Sequence, residues 1–228
     1  MGRSACLYPP FESREDDDLL RRWLITYYDE LERAVGAATS LLDVGCGSES
    51  PVRHFRRRVP RLVGVDGFAP SVEASRTKGI HHEYFCTDLL KIDDVFAERS
   101  FDCVLASDVV EHLPKALGVE LIAKMERIAR GHVVIFTPNG FLPQDEYDGN
   151  VLQRHLSGWN VDEMEAMGYD VIGINGWKPL LGQFALPRFR PASFWRVVSR
   201  LTQPLVRNRP HHAFQLLCVK SVSETPAA

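Results

Sequence analysis

Short, almost uninterrupted apolar runs recur along this chain, and helical patterns separate most of them. The runs lie at residues 40–44, 61–66, 83–86, 101–107, 132–137, 170–175 and 213–220, with helical spacing at 51–59, 70–77, 89–98, 114–130 and 161–167. A strand with one wet face alternates apolar and polar residues, whereas a run apolar at nearly every position is covered on both faces. Helices between such strands supply the cover, so the pattern predicts an α/β fold: a doubly wound, mostly parallel sheet of seven strands. At 228 residues the chain can bury that core without disulfides or metals. Residues 1–37 read as an N-terminal helical segment. They are polar up to the EDDD at 15–18 and helical over 19–36, where those acids suit the positive helix N-terminus. Residues 38–228 read as the main domain, with an insertion at 176–212 before the last strand.

Composition sets the surroundings. The chain is 45% hydrophobic and 25% charged, no apolar run approaches the length of a membrane span, and no secretory leader is legible. Its five cysteines form no CxxC pair and sit mostly in apolar runs, which reads as reduced thiols in a cytoplasmic chain. The formal net charge of -3 hides an asymmetry, because residues 171–223 contain no acid. The same segment carries Lys178, Arg188, Arg190, Arg196, Arg200, Arg207, Arg209 and Lys220.

The first apolar run ends in LLDVGCGSES. A strand, a Gly-rich turn and a helix bring backbone close to a ligand. The dinucleotide fingerprint is not met, since Ser50 stands where its third glycine belongs, and no Lys follows to make a phosphate loop. Asp43, two residues before Gly45, would repel a pyrophosphate and favour a cation. Asp66 ends the second strand and can accept ribose hydroxyls, and Asp88 follows the third within reach of an adenine amino group. Taken singly, each acid reads as a helix cap. Taken together, at three successive strand ends, they describe a phosphate-free, cationic adenosine ligand.

In combination, LLDVGCGSE, GVDG, CTDLL and FDCVLASDVVEHL resemble the motifs of the class I S-adenosylmethionine-dependent methyltransferases over roughly residues 38–175 plus the last strand. The resemblance implies a Rossmann-like methyltransferase sheet with S-adenosyl-L-methionine as methyl donor. It implies cofactor contacts from Asp43, Gly45, Cys46, Gly47, Asp66, Gly67, Asp88, Leu89 and Ser107. Glu49 departs from the third glycine that many members carry, which bears on the path of the loop. Tyr27 and Tyr28 offer ring faces to a sulfonium, or pack in the core.

Asp108, Glu111 and His112 gather in SDVVEHLP, at the strand end where open α/β sheets bind ligands. One reading is local: Pro114 starts a helix, and Glu111 is a favourable charge near its N-terminus. The other is chemical. An acid-x-x-Glu-His pattern resembles metal-dependent O-methyltransferases, namely ubiquinone-pathway catechol enzymes and enzymes that methylate the 2′-hydroxyl at small-RNA 3′ ends. In the second group a later histidine precedes a tryptophan, as His155 and Trp159 do here. The resemblance then implies Mg²⁺ or Mn²⁺ on Asp108, Glu111, His112 and His155. His112, His155 and Asp108 are the candidate catalytic residues with or without metal, a histidine serving as general base where none is held. Asn139 and Gly140, after the fifth strand, read as a turn or as an orienting pair for an acceptor hydroxyl.

In the basic insertion, Phe194, Val197, Val198, Leu201 and Leu205 recur at helical spacing, with Arg196 and Arg200 off the stripe. A helix docked on the core by that stripe is one reading. The others are a basic amphipathic segment, 192–207, on an anionic membrane surface, and a nucleic-acid face. The acidic overall balance and the lack of a recognisable RNA module weigh against RNA. The sequence therefore points to an S-adenosylmethionine-dependent methyltransferase, with transfer to oxygen of a small-molecule acceptor such as a sugar, phenol or phosphate-bearing compound. RNA 2′-O-methylation and a non-catalytic binding protein are the alternatives.

Overall fold

The computed structural model of the chain describes residues 26–146, 150–182 and 185–222. The EDDD acids and the start of the first predicted helix lie outside them. Every apolar run forms a strand of one sheet: β1 (Ser40–Val44), β2 (Arg61–Asp66), β3 (Glu83–Cys86), β4 (Phe101–Ser107), β5 (Ala129–Pro138), β6 (Asp170–Trp177) and β7 (Ala213–Ser221). The spatial order is β3-β2-β1-β4-β5-β7-β6. Only β7 runs against its neighbours, pairing antiparallel with β5 and β6.

Successive residues of a strand feed opposite cores. Leu42, Val104 and Val133 pack on one face with Leu121, Met125 and Trp159, while Leu41, Leu105 and Val134 pack on the other with Leu31 and Val35. Among the described residues, six α-helices accompany the sheet: α1 (Tyr27–Val35), α2 (Ala69–Thr77), α3 (Lys115–Ile128), α4 (Val161–Ala166), α5 (Ala192–Leu201) and α6 (Gln203–Arg207). Among the described residues, no helix is long and apolar enough to cross a membrane. The predicted helices at 51–59 and 89–98 are short 3₁₀ turns instead. Phe55, at φ -129°, interrupts the first, and Lys91, at φ -117°, breaks the second.

The insertion holds the main surprise. Its apolar stripe faces away from the core: Phe194 is 56% exposed, Val197 54%, Leu201 60% and Leu205 65%. The polar side of α5, together with Gln203 and the buried Val206 of α6, is what meets the sheet. Ser199 Oγ donates to Asn175 O at 3.2 Å, Trp177 N donates to Thr202 Oγ1 at 2.8 Å, and the Gln203 amide bridges Gly173 O and Gly176 N at 2.9 and 3.0 Å. β6 is an edge strand whose outward N–H and C=O groups need partners. The hydroxyls and amide of α5–α6 satisfy them, and that requirement sets which side of the helix docks. Gly176 permits the approach, since a Cβ there would lie 2.2 Å from Ser199 O.

At the amino end of the central strand β4, Asp102 ties three strands. Its carboxylate accepts from Thr39 N and Oγ1, from Ser40 N and Oγ, and from Arg130 Nε at 2.6 Å. The Arg130 guanidinium, then the Thr39 and Ser40 donors, hold this carboxyl well below the usual range. Asp102→Ala is expected to cost about 2–3 kcal/mol in urea denaturation, the range for a few charge-assisted hydrogen bonds. Because the native pKa is depressed, this stabilisation is complete above the ordinary carboxylate pKa of about 4 and fades as pH falls further. The gap between wild type and variant should therefore narrow below that pH.

Candidate functional site

The ends of β1, β2, β3 and β4 and two loops converge at the carboxyl edge of the sheet. The glycine loop comes first. Gly45 N and Cys46 N both donate to Val65 O, at 2.8 and 3.0 Å, and Gly47 N donates to Asp66 Oδ2 at 2.8 Å. All three amides are thus engaged with β2, and a pyrophosphate would find none of them free. Gly45 and Gly47 have φ of 70° and 54°, conformations that favour glycine. At Gly45 the space is also filled, since a Cβ would lie 2.5 Å from Val109 Cγ2. Glu49 is gripped by Arg53 and Lys78, which sets the outer turn of the loop.

Asp43 is buried beneath this loop. Its Oδ2 accepts from Ser50 Oγ at 2.5 Å and meets His81 Nε2 at 2.8 Å. Its charge supports the loop from below rather than facing an open cleft. Asp66 is half-buried, and its two oxygens accept from Gly47 N and Phe68 N, each at 2.8 Å. Each oxygen keeps a lone pair for a hydroxyl donor. Burial raises the pKa of this carboxyl. Gly67 is exposed beside Asp66, and Leu152 of the 150–156 loop lies within van der Waals reach of it. Asp88 is exposed and caps the following turn through Leu90 N at 3.0 Å, with Leu89 half-buried next to it. The Cys46 thiol is buried, and burial pushes its pKa far up.

Ser107 Oγ hydrogen-bonds the Tyr27 hydroxyl at 2.7 Å. Tyr27 packs its ring on Phe136, and Tyr28 lies against the His54 ring. Asn139 donates to Pro210 O, His211 O and Ala213 O, so it pins the turn into β7 and does not face an acceptor.

Asp108 begins the second half of the site, in a left-handed conformation at φ 53°, rare for a residue with a Cβ. Gln215 Nε2 donates to its Oδ1 at 3.2 Å, and Asn175 Nδ2 donates to Gln215 Oε1 at 2.5 Å. Glu111 is buried; its Oε2 accepts from Thr137 Oγ1 at 3.0 Å, while its Oε1 has no partner. The two carboxyls touch. Burial raises both pKa values, and the Asp108 charge adds to the rise at Glu111.

The histidines complete the cluster. Leu156 N and Ser157 N donate to Glu111 O, folding the 150–159 loop back onto the SDVVEHLP turn. This brings the His112 and His155 rings to 4.8 Å between centroids. His112 Nδ1 sits 3.2 Å from Arg154 O, and His155 Nδ1 sits 2.6 Å from Leu142 O. A carbonyl only accepts, so Nδ1 carries the proton and Nε2 is the lone-pair nitrogen on each ring. Burial lowers both pKa values, His112 to about 4 with His155 as a further cause, so both rings are neutral at pH 7. One potential ligand atom from each of Glu111, His112 and His155 lies within 4.8 Å of the others. Asp108 joins this trio through Glu111 rather than directly.

The donor set suits a divalent cation. An orphaned buried carboxylate oxygen and two imidazoles whose Nδ1–H is fixed by backbone carbonyls are what such an ion requires. Thr137, Gln215, Asn175 and His81 escaped the sequence reading. The legible signal was a single polar residue inside an apolar strand, as Gln215 is in AFQLLCVK.

Residues 42–136 match a family described as a methyltransferase domain. Among curated proteins, a ubiquinone biosynthesis O-methyltransferase of Rhodopseudomonas palustris (strain BisB5) is 25% identical over 155 residues, covering 56% of this chain and 60% of that protein. One from Hahella chejuensis (strain KCTC 2396) is 30% identical over 141 residues, covering 56% and 58%. The chain thus spans less than two thirds of these relatives. Among solved structures, the methyltransferase domain of a bacterial CtHen1 superposes with a TM-score of 0.55 at 16% identity, covering 86% of this chain and 98% of that one. A SAM-dependent methyltransferase from Archaeoglobus fulgidus gives 0.53 at 15%, covering 90% and 99%. At these identities the structural likeness speaks for the fold alone.

Proposed function

We propose that this chain, a member of the class I S-adenosylmethionine-dependent methyltransferases, moves a methyl group from S-adenosyl-L-methionine to a hydroxyl oxygen of a small-molecule acceptor. The observation that carries the oxygen assignment is the convergence of Glu111, His112 and His155 at the carboxyl edge, beside the glycine loop. The curated relatives named as ubiquinone biosynthesis O-methyltransferases support the same reading.

In this mechanism Asp66 accepts the two ribose hydroxyls, and the loop from Gly45 to Gly47 lies along the methionine end with no free amide to attract phosphate. Glu111, His112 and His155 would hold Mg²⁺ or Mn²⁺. A divalent ion bound there would lower the pKa of a coordinated hydroxyl and orient it. Asp108, at the rim of the trio and held by Gln215, takes the proton from the acceptor hydroxyl. The oxygen then displaces the methyl in line: an O–CH₃ bond forms, the S–CH₃ bond breaks, and S-adenosylhomocysteine leaves. Near-attack placement of oxygen and methyl supplies much of the acceleration.

The test is transfer of labelled methyl to a panel of catechols, vicinal diols, monophenols and amines, with and without EDTA. EDTA-sensitive labelling of vicinal hydroxyls supports the proposal. Labelling of amines, or labelling of hydroxyls that EDTA leaves untouched, would overturn the oxygen-and-metal assignment. A second prediction probes the donor site alone. Gly45→Ala places a Cβ against Val109 at a positive φ, and it is expected to weaken S-adenosylhomocysteine binding at least tenfold in calorimetric titration.

A further inference from the structure

We infer that the outer face of α5 and α6 is a docking surface for anionic phospholipid, which places the carboxyl edge of the sheet against a bilayer. The inference does not depend on the reaction assigned above. It begins from a helix mounted with its apolar side outward: Ser199, Thr202 and Gln203 bind the β6 edge, while Phe194, Val197, Leu201 and Leu205 point to solvent, each more than half exposed. Phe189 and Leu186, just before α5, extend the exposed patch. A contiguous apolar face of this kind on a folded surface marks an interaction site.

Charge selects the occupant. Arg188, Arg190, Arg196, Arg200 and Arg209 are exposed around the patch. Among the described residues, no carboxylate lies within ion-pair distance of any of them. With no acid anywhere from 171 to 223, a second copy meeting this face two-fold would set arginine against arginine. An anionic lipid surface matches both the apolar stripe and the guanidinium fringe.

The position matters for function. Asn139 and Asn175, at the carboxyl ends of β5 and β6, bond the turn before β7 and the Gln215 that reaches Asp108. The docking face and the acceptor cluster thus belong to the same end of the sheet. A bilayer on this face would lie beside the entrance for the acceptor.

The experiment is co-sedimentation of the full chain with vesicles of phosphatidylcholine alone and with about a third phosphatidylglycerol. Binding to the anionic vesicles only, weakening with salt, is the expected result. Arg196→Ala with Arg200→Ala should weaken it about 30-fold, at about 1 kcal/mol for each basic residue near the surface. Leu201→Glu should weaken it at least tenfold. Both sites are exposed, so circular dichroism and S-adenosylhomocysteine binding should match wild type, which separates lost docking from lost folding. No binding to anionic vesicles overturns the inference. So does a dimer in sedimentation velocity that Leu201→Glu dissolves, since a second copy would then be the occupant. Strong binding that appears only after removal of residues 1–25 also overturns it, because that segment would be what covers the stripe.

Discussion

His155→Ala is expected to abolish stoichiometric Mn²⁺ binding, read by paramagnetic resonance with S-adenosylhomocysteine present, and to lower methyl transfer on the order of 10²–10³-fold. The variant removes one of two imidazoles from a trio whose potential ligand atoms lie within 4.8 Å. A carboxylate and a single imidazole hold Mn²⁺ poorly against water, because this ion gains affinity mainly from the number of fixed ligands. His155 also donates to Leu142 O, so the substitution could loosen the 150–159 loop. Binding of S-adenosylhomocysteine separates the two effects, since a loosened loop would withdraw Leu152 from Gly67 beside Asp66, whereas loss of the imidazole alone leaves that contact in place. The expected pattern is intact binding of the thioether, no bound metal and little activity. Equal Mn²⁺ binding by wild type and variant would remove His155 from the metal site, and equal activity would remove it from the chemistry.

The strands were legible because a strand covered on both faces must be apolar at most successive positions, as 40–44, 101–107 and 213–220 are. The SDVVEHLP turn was legible because its residues are adjacent, and His155 because a motif ties it to Trp159. Gln215 and Thr137 were not. The bond from Gln215 to Asp108 joins positions 107 residues apart, and it depends on β7 running antiparallel beside β5. No local pattern carries that. Which way the stripe of α5 faces is not legible in the sequence for a related reason. Amphipathic spacing identifies an apolar face but not what it meets, and at this edge strand the unpaired backbone of β6 outweighed the stripe. Asp43 shows the same limit in reverse: its position beside the glycines was plain, but its partner His81 lies on the far side of β2.

Glu111→Gln is expected to stabilise the chain by about 1–2 kcal/mol in guanidinium denaturation with EDTA present, and at the same time to erase any stabilisation by Mn²⁺. Most substitutions of a buried, hydrogen-bonded residue destabilise, so the sign is the informative part. Glu111 sits in the core with one oxygen on Thr137, the other unpartnered, and a second carboxyl facing it. Without a cation, the pair escapes desolvation and like-charge repulsion only by taking up a proton, the cost that the raised pKa values express. The amide has the same shape. It keeps an oxygen for Thr137 and gains an N–H₂ that can donate to Asp108. A natural chain that keeps the less stable carboxylate here is keeping it for something the amide cannot do, and holding a divalent ion is the chemistry the neighbouring imidazoles point to. If Glu111→Gln instead destabilises with EDTA present, the carboxylate is structural and the orphaned oxygen has a partner in solution. If it stabilises but Mn²⁺ still raises the midpoint, the ion binds elsewhere.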